Sequence, residues 1–379
     1  MKVLLGISRF LVGGLFIFSG LIKANDPYGF AYKLQEYFAV FDDRFGLAFT
    51  SLDPAALTLS ILICTVEIVL GFALILGVWK HLTAWSLLLM ILFFTWLTGW
   101  SSITGTVTDC GCFGDAIPIT PDQSFYKDLI LLVFIGFIFI KRRAIHTLLS
   151  KTLGTSLVVI SLIGTLVFAF WNLSYLPMLD FRPYKVGNNI PEEMSIPEDA
   201  EPGVYEIIWI YSDNGVEAEY TDEDKPWENS NLTFVDRNTK VIVAPYEPRI
   251  HDLIIIDEND NDITDELLND PNYNFILVST NVKKSKKSSY EDINALVAKC
   301  DEHGIAFNGL TASIYEDVNP FRHEVSAAFP FHSVDATTLK TIIRSNPGLL
   351  LLKGGTIIAK WPYRRIPSFE KVNKKYMNL

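Results

Sequence analysis

Apolar positions are spread unevenly along the chain. From Lys2 to about Leu21, and again at about 56–79, 82–102, 124–142 and 153–172, they form runs almost free of charge, each close to the ~20 residues that carry a helix across a bilayer. Five membrane spans are therefore expected. After about Pro177 the apolar content thins and the period changes. Val204–Tyr211, Leu232–Val235 and Val241–Val243 alternate with period two, and Asp213-Asn214-Gly215 reads as a hairpin turn, so a small β region is expected there. Beyond Ile250 strand patterns (Leu253–Ile256, Phe275–Ser279, Ile305–Leu310, near Ser333) take turns with helical ones. The helical stretches follow Asp262 and cover Ser288–His303, Val318–Phe329 and Ala336–Arg344. A closing hairpin, Leu349–Leu352 and Thr356–Trp361 about Gly354-Gly355, completes an order that suits an α/β sheet covered by helices.

The first run has the length of a signal peptide, but it contains Arg9, lacks a small-x-small cleavage site and precedes further spans, so an uncleaved helix is expected. Lys80-His81 joins spans two and three, and Lys141, Arg142, Arg143 and Lys151 surround the loop between four and five. The Thr106–Gln123 loop is acidic and has no lysine or arginine. Positive charge marks the cytoplasmic side, so the amino terminus is expected there, with the Thr106–Gln123 loop and, after five spans, the soluble half outside. In a bacterium that means an inner-membrane protein with a periplasmic domain. Between Lys23 and Pro54, aromatics such as Tyr28, Tyr32, Phe38 and Phe45 mix with charges, which predicts a short amphipathic helix in the outer interface, either anchoring the chain or covering the bundle mouth.

Among the 379 residues, 49% are hydrophobic, too many for an ordinary soluble protein of two domains. The net charge of −11 comes with an acidic second half. That argues against a nucleic-acid partner and for a solvated domain tethered to lipid. Four cysteines cannot staple a chain of this length.

Two of them, Cys110 and Cys112, flank one glycine in the outer loop, with Asp109 and Asp115 just outside. A disulfide closing so small a ring departs from relaxed geometry, and such disulfides tend to be oxidising and exchangeable. A local clip or two small packing residues are the alternatives, and both stay open. Lys23, at the outer end of span one, is a candidate to favour a thiolate there; a snorkelling lysine is its ordinary reading. Arg9 and Glu67 are charges inside spans one and two, close enough in the pattern to reach one another, either locking the helices or relaying protons. Gly13, Gly14, Ser19, Gly20, Gly71 and Gly77 would let the two spans approach closely. Cys64 reads as a packing residue, and Cys300 completes an apolar helical face with Tyr290, Ile293, Leu296 and Val297. No histidine stands near the cysteine pair, so no metal site is expected there. No motif speaks for a quinone, and the cofactor is left open.

Taken together, Arg9, Gly13-Gly14, Phe18-Ser19-Gly20 and Lys23, then Glu67 and Gly71, then Asp109-Cys110-Gly111-Cys112-Phe113-Gly114, resemble the DoxX/MauE family over about residues 1–145. The resemblance implies a four-helix bundle in the cytoplasmic membrane, linked to periplasmic thiol–disulfide chemistry or the maturation of exported proteins. In its MauE branch the implied task is helping a periplasmic enzyme subunit acquire disulfides. Residues of about 250–379, ending in Ser345-Asn346-Pro347 and two strands, are similar to the thioredoxin fold, with Pro347 where its cis-proline stands. The thioredoxin motif should follow Phe275–Ser279, yet Thr280-Asn281-Val282-Lys283-Lys284-Ser285 holds no cysteine. The expected organisation is a four-helix membrane domain (1–145), a fifth span and linker (146–177), a small β region (178–250) and a thioredoxin-like domain without catalytic cysteines (251–379). Two functions fit: thiol–disulfide exchange by Cys110 and Cys112, with the soluble domain holding a periplasmic or envelope partner, or a non-enzymatic scaffold with the same partner.

Overall fold

The computed structural model describes residues 2–107, 111–213 and 215–379. Five helices among them are long and apolar enough to cross a membrane. The first, α1 (Lys2–Asn25), is followed at once by α2 (Pro27–Phe45), which starts where Asp26 accepts a hydrogen bond from Gly29 N with Pro27 in the first turn, and stops at Gly46, whose φ is +62°. Next come α3 (Ala56–Leu76), α4 (Lys80–Thr104), α5 (Pro121–Ile140) and α6 (Lys151–Ser174). Thr120 and Gln123 form a reciprocal cap at the start of α5. Helix α1 packs on α3 and α4 on α5, around a core that includes Val12, Leu74, Leu87, Ile91 and Ile135. Leu89, Phe93, Val133, Ile160 and similar side chains point outward, as the lipid-facing side of a bundle requires.

The bundle has two unlike ends. At one, the basic loops meet: Leu148 N donates to Leu76 O over 3.0 Å and Lys80 Nζ to Arg143 O over 3.1 Å. At the other lie α2, the loop before α5 and the whole carboxyl-terminal half. The basic loops and the soluble half are therefore on opposite ends.

The carboxyl-terminal half is an α/β region with two sheets. After a short helix, α7 (Ile190–Met194), strands β1 (Val204–Asp213), β2 (Val216–Tyr220) and β3 (Thr233–Val243) form an antiparallel sheet in the order β2-β1-β3. Asn214, in the expected hairpin turn, lies outside the described residues. The remaining chain gives α8 (Thr264–Leu268), β4 (Tyr273–Val278), α9 (Tyr290–Glu302), β5 (Ala306–Thr311), α10 (Tyr315–Glu324), β6 (Phe331–Ser333), α11 (Ala336–Ile342), β7 (Gly348–Lys353) and β8 (Thr356–Pro362). The sheet runs β6-β5-β4-β7-β8, parallel from β6 to β4 and antiparallel thereafter, and the Asn346–Pro347 bond is cis. Its central strands are covered on both faces. Phe275, Leu277, Leu349 and Leu351 meet α9 and α10, while Ile276, Val278, Leu350 and Leu352 meet α8 and α11. That is why these strands read as unbroken apolar runs rather than alternation. Cys300 lies in the first layer, and burial pushes its thiol pKa up to about 12.

Three details depart from the pattern. The second layer begins well before Ile250, because Tyr184 and Ile190 are buried in it. Leu253–Ile256 forms only isolated bridges at Ile256, since Ile255 N bonds to the Thr264 hydroxyl instead of a neighbouring strand. And α10 starts and stops earlier than expected, ending at Glu324, capped by Val325 before Ser326, whose φ is +55°.

Candidate functional site

Close helix approach builds the centre of the site. A Cβ at Gly20 would stand 2.8 Å from Cys64 O, and one at Gly71 2.7 Å from Gly13 O, so α1 and α3 touch through backbone. Gly14 faces open space and takes no part in this contact. The approach brings Ser19 and Lys23 of α1 against Glu67 of α3. Lys23 Nζ lies 2.6 Å from Glu67 Oε1 and donates to Ser19 Oγ over 2.9 Å, with both charged side chains 4% exposed. The Ser19 hydroxyl has two acceptors in reach, Glu67 Oε2 at 3.1 Å and Cys112 O at 3.0 Å. One proton serves only one of them at a time. Cys112 is thus tied by its backbone to a buried ion pair.

Arg9 is not the partner of Glu67. Its Nε and Nη2 donate to Leu74 O (3.2 Å) and Ile75 O (2.8 Å), closing the carbonyl end of α3. The reason is register. Glu67 lies level with Gly20, eleven residues from Arg9, which at 1.5 Å per residue is about 16 Å along the helix, beyond an arginine's reach. The expected pair is replaced by Lys23–Glu67. Lys23 in turn is buried rather than snorkelling, held by Glu67 and Ser19.

A second buried group stands across the bundle. Asp128 of α5 accepts from the Thr98 hydroxyl at 3.1 Å and pairs with Lys127 at 2.9 Å, and the Lys127 ammonium lies 5.2 Å from the Phe113 ring. Between the two groups is a cavity of about 280 Å³. Leu34, Tyr37 and Phe38 of α2, Ile63 of α3 and Leu97 of α4 make its apolar wall, and Lys23, Glu67, Asp128 and Cys112 its polar border. The amphipathic stretch after span one is therefore a wall of this cavity, laid over the bundle mouth.

Outside the bundle a polar cleft of about 450 Å³ separates α2 and the loop from the α/β region; Gly111, Asp115, Lys33, Arg182 and Arg344 line it. Arg344 bridges this gap. Its Nε lies 2.8 Å from Asp26 Oδ2 and its Nη2 3.7 Å from Asp115 Oδ2. Burial opposes that charge, but Asp26 and Asp115 outweigh it, and the Arg344 pKa is raised. Tyr32 lies beneath Arg344 and Lys340, and burial pushes its phenol up to about 12. Asn25 completes the junction, exchanging side-chain hydrogen bonds of 2.7 and 3.0 Å with the backbone of Leu179. The segment Gly111–Asp115 thus has the bundle cavity on one side, at Cys112, and the polar cleft on the other, at Gly111 and Asp115. Asp109 and Cys110 lie outside the described residues.

Several of these residues were not singled out from the sequence. Lys127 and Asp128 carried the same signal as Glu67, charge inside an apolar run. In the sequence Ser19 carries only the signal of a small residue, and nothing in the pattern links Asp26 to Arg344, which are 318 positions apart. Among the described residues no group of three or more metal-ligating side chains forms.

Residues 1–141 match the family model described as methylamine utilisation protein MauE, and residues 205–244, the three-stranded sheet, match a domain of unknown function, DUF8463. No curated protein and no solved structure matches the chain. The family match and the five apolar helices make this a multi-pass membrane protein and imply a membrane accessory or maturation role. Its first 141 residues are a MauE-family membrane domain.

Proposed function

We propose that the chain is a membrane thiol–disulfide exchange component for exported proteins, acting through Cys110 and Cys112. A client thiolate attacks one sulfur of the Cys110–Cys112 disulfide, and the displaced thiolate of the pair takes up a proton. The second client thiolate then attacks the client sulfur of this mixed disulfide, releasing oxidised client and the reduced pair. The observation that carries this reading is the position of Cys112, half-buried in a segment with a cavity on one side and a cleft toward the α/β region on the other. The α/β region presents the client at that cleft, raising its effective concentration.

In this reading the α/β region is a thioredoxin-like domain that has lost its own chemistry. The strand order β6-β5-β4-β7-β8, with Pro347 ahead of β7, supports the fold. Where thiols would follow β4, Asn346 instead links Ser279 Oγ (3.2 Å) and Asn281 O (2.9 Å). The basic loops lie in the cytoplasm, the amino terminus with them, and the α/β region in the periplasm of a bacterial inner membrane. That closed, thiol-free turn also favours the second reading, a scaffold that only binds an envelope protein.

The Cys112→Ala protein separates the two. With Cys112 gone, Cys110 can still run the exchange in reverse: its thiolate attacks the disulfide of an oxidised client and displaces one client thiolate. The mixed disulfide, with no second protein thiol to resolve it, is visible as a species that collapses on reduction. No such species, together with unchanged maturation of exported disulfide proteins after both cysteines are replaced, rejects exchange in favour of the scaffold.

A further inference from the structure

Exchange at Cys110 and Cys112 leaves two electrons on the pair at each turnover, and the remaining cysteines, Cys64 and Cys300, are fully buried. Resting on the exchange reading, we propose that the bundle cavity is the binding site of a membrane-soluble quinone that reoxidises the pair. Its size and lining point to such a ligand. At about 280 Å³ it lies near the lower limit, roughly 300 Å³, of small-molecule sites, enough for a ring head group but not for a dinucleotide. Its walls are aliphatic and aromatic, with polar groups on two sides, Lys23 and Glu67 on one and Lys127 and Asp128 across the bundle, a pattern that can orient a flat ring by its two oxygens.

The polar border has a donor to offer. Lys23 has three N–H groups, and among the described residues Glu67 and Ser19 use two. The ammonium also lies 5.1 Å from the Phe30 ring and 5.5 Å from the Phe94 ring, both of which line the cavity, so its charge borders that space. A quinone carbonyl oxygen there accepts from the remaining N–H, and the ammonium favours the negative charge that builds on that oxygen as electrons arrive. An acyl chain carries no acceptor for Lys23. A phosphorylated cofactor would need spare positive charge, whereas Lys23 and Lys127 are already paired with carboxylates. Access is from the side: Phe93 of α4 lines the cavity and is also exposed on the outer face of the bundle, where an isoprenoid tail would leave into lipid. Cys112 lies on the same cavity wall.

The step balances. The two thiols lose two protons and two electrons as the S–S bond forms, and the quinone takes both to become the quinol. It needs no further reactant.

The test uses the full-length protein in nanodiscs, reduced, freed of reductant and kept anaerobic. Menadione and a short-tailed ubiquinone analogue are added, and quinone absorbance is followed with maleimide labelling of Cys110 and Cys112. One quinol formed per pair, with loss of labelling, is the expected result. Leu34→Trp fills the cavity and Lys23→Met removes the donor; each slows quinone reduction by about tenfold or more. Because either change could disturb folding, the unaltered protein in its oxidised state, which has no electrons to pass on, is tested for binding by equilibrium dialysis and binds the same quinones. No quinone bound or reduced, while Cys110 still traps clients, overturns the site and leaves exchange standing. Quinone bound with no trapping on Cys110 overturns exchange and the electron route with it.

Discussion

The two ends of the bundle use buried charge differently. At the basic end, cationic side chains are spent on backbone carbonyls: Arg9 on Leu74 and Ile75, Lys80 on Arg143, Arg142 on Phe139. These contacts satisfy helix ends and close the structure. At the other end charges pair side chain to side chain, Lys23 with Glu67, Lys127 with Asp128 and Arg344 with Asp26. The first two pairs border a cavity. A charge answered by its own backbone has only a structural task, whereas a pair facing empty space keeps atoms available to a ligand. Rarity of charge in a span therefore locates candidates but does not sort them; the partner does.

Breaking the outer end should cost most. Lys23→Met leaves Glu67 buried without its counter-charge, and the bundle should lose about 3–5 kcal/mol in detergent unfolding. Replacing both, with Glu67→Leu, should recover much of that while removing the cavity's polar border. A loss for Lys23→Met within experimental error of zero would mean the pair is not buried as described. Next in size is the helix contact that aligns the pair. Gly20→Ala sets a Cβ against Cys64 O and should cost about 1–3 kcal/mol, while Gly14→Ala, facing open space, should be neutral or gain up to about 1 kcal/mol from helix propensity. Equal effects at the two glycines would contradict the packing.

At the basic end the expected losses are smaller. Arg9→Met should cost about 1–2 kcal/mol through the lost hydrogen bonds and leave mixed-disulfide trapping on Cys110 unchanged. If trapping failed in a folded Arg9→Met protein, the division between structural and functional ends would be wrong. The smallest effect is a chemical silence. With its pKa pushed up to about 12 by burial, Cys300 stays a neutral thiol across the physiological range, and its thiolate gains only as pH approaches that value. It should remain unalkylated at pH 8 until the α/β region unfolds, whereas reduced Cys112, half-buried, should react with maleimide in the folded protein.

Much of the fold was legible because its signals are local. The five apolar runs became the five long helices with small shifts at their ends, and the alternating or unbroken apolar stretches became β1, β3, β4, β5, β7 and β8. The face formed by Tyr290, Ile293, Leu296, Val297 and Cys300 is buried as its spacing suggests. What failed depended on partners. Tyr184 and Ile190 sit in polar surroundings in the sequence, yet they complete the core beneath β7 and β8. Leu253–Ile256 has strand composition, but only Ile256 pairs with a strand, at Ser333 of β6, while a side-chain hydroxyl answers Ile255 N.

The site divides in the same way. Hydropathy, charge placement and the spacing of Cys110 and Cys112 by themselves determined that spans carry buried charge and that two thiols sit in a loop between spans. They did so because run length and residue spacing are properties of consecutive positions. Which charge meets which was decided only in three dimensions. The antiparallel register of α1 and α3 hands Glu67 to Lys23 and leaves Arg9 to the helix end, and the docking of the last domain sets Arg344 on Asp26. Neither is encoded at any one position, because each depends on how whole elements slide and pack against one another.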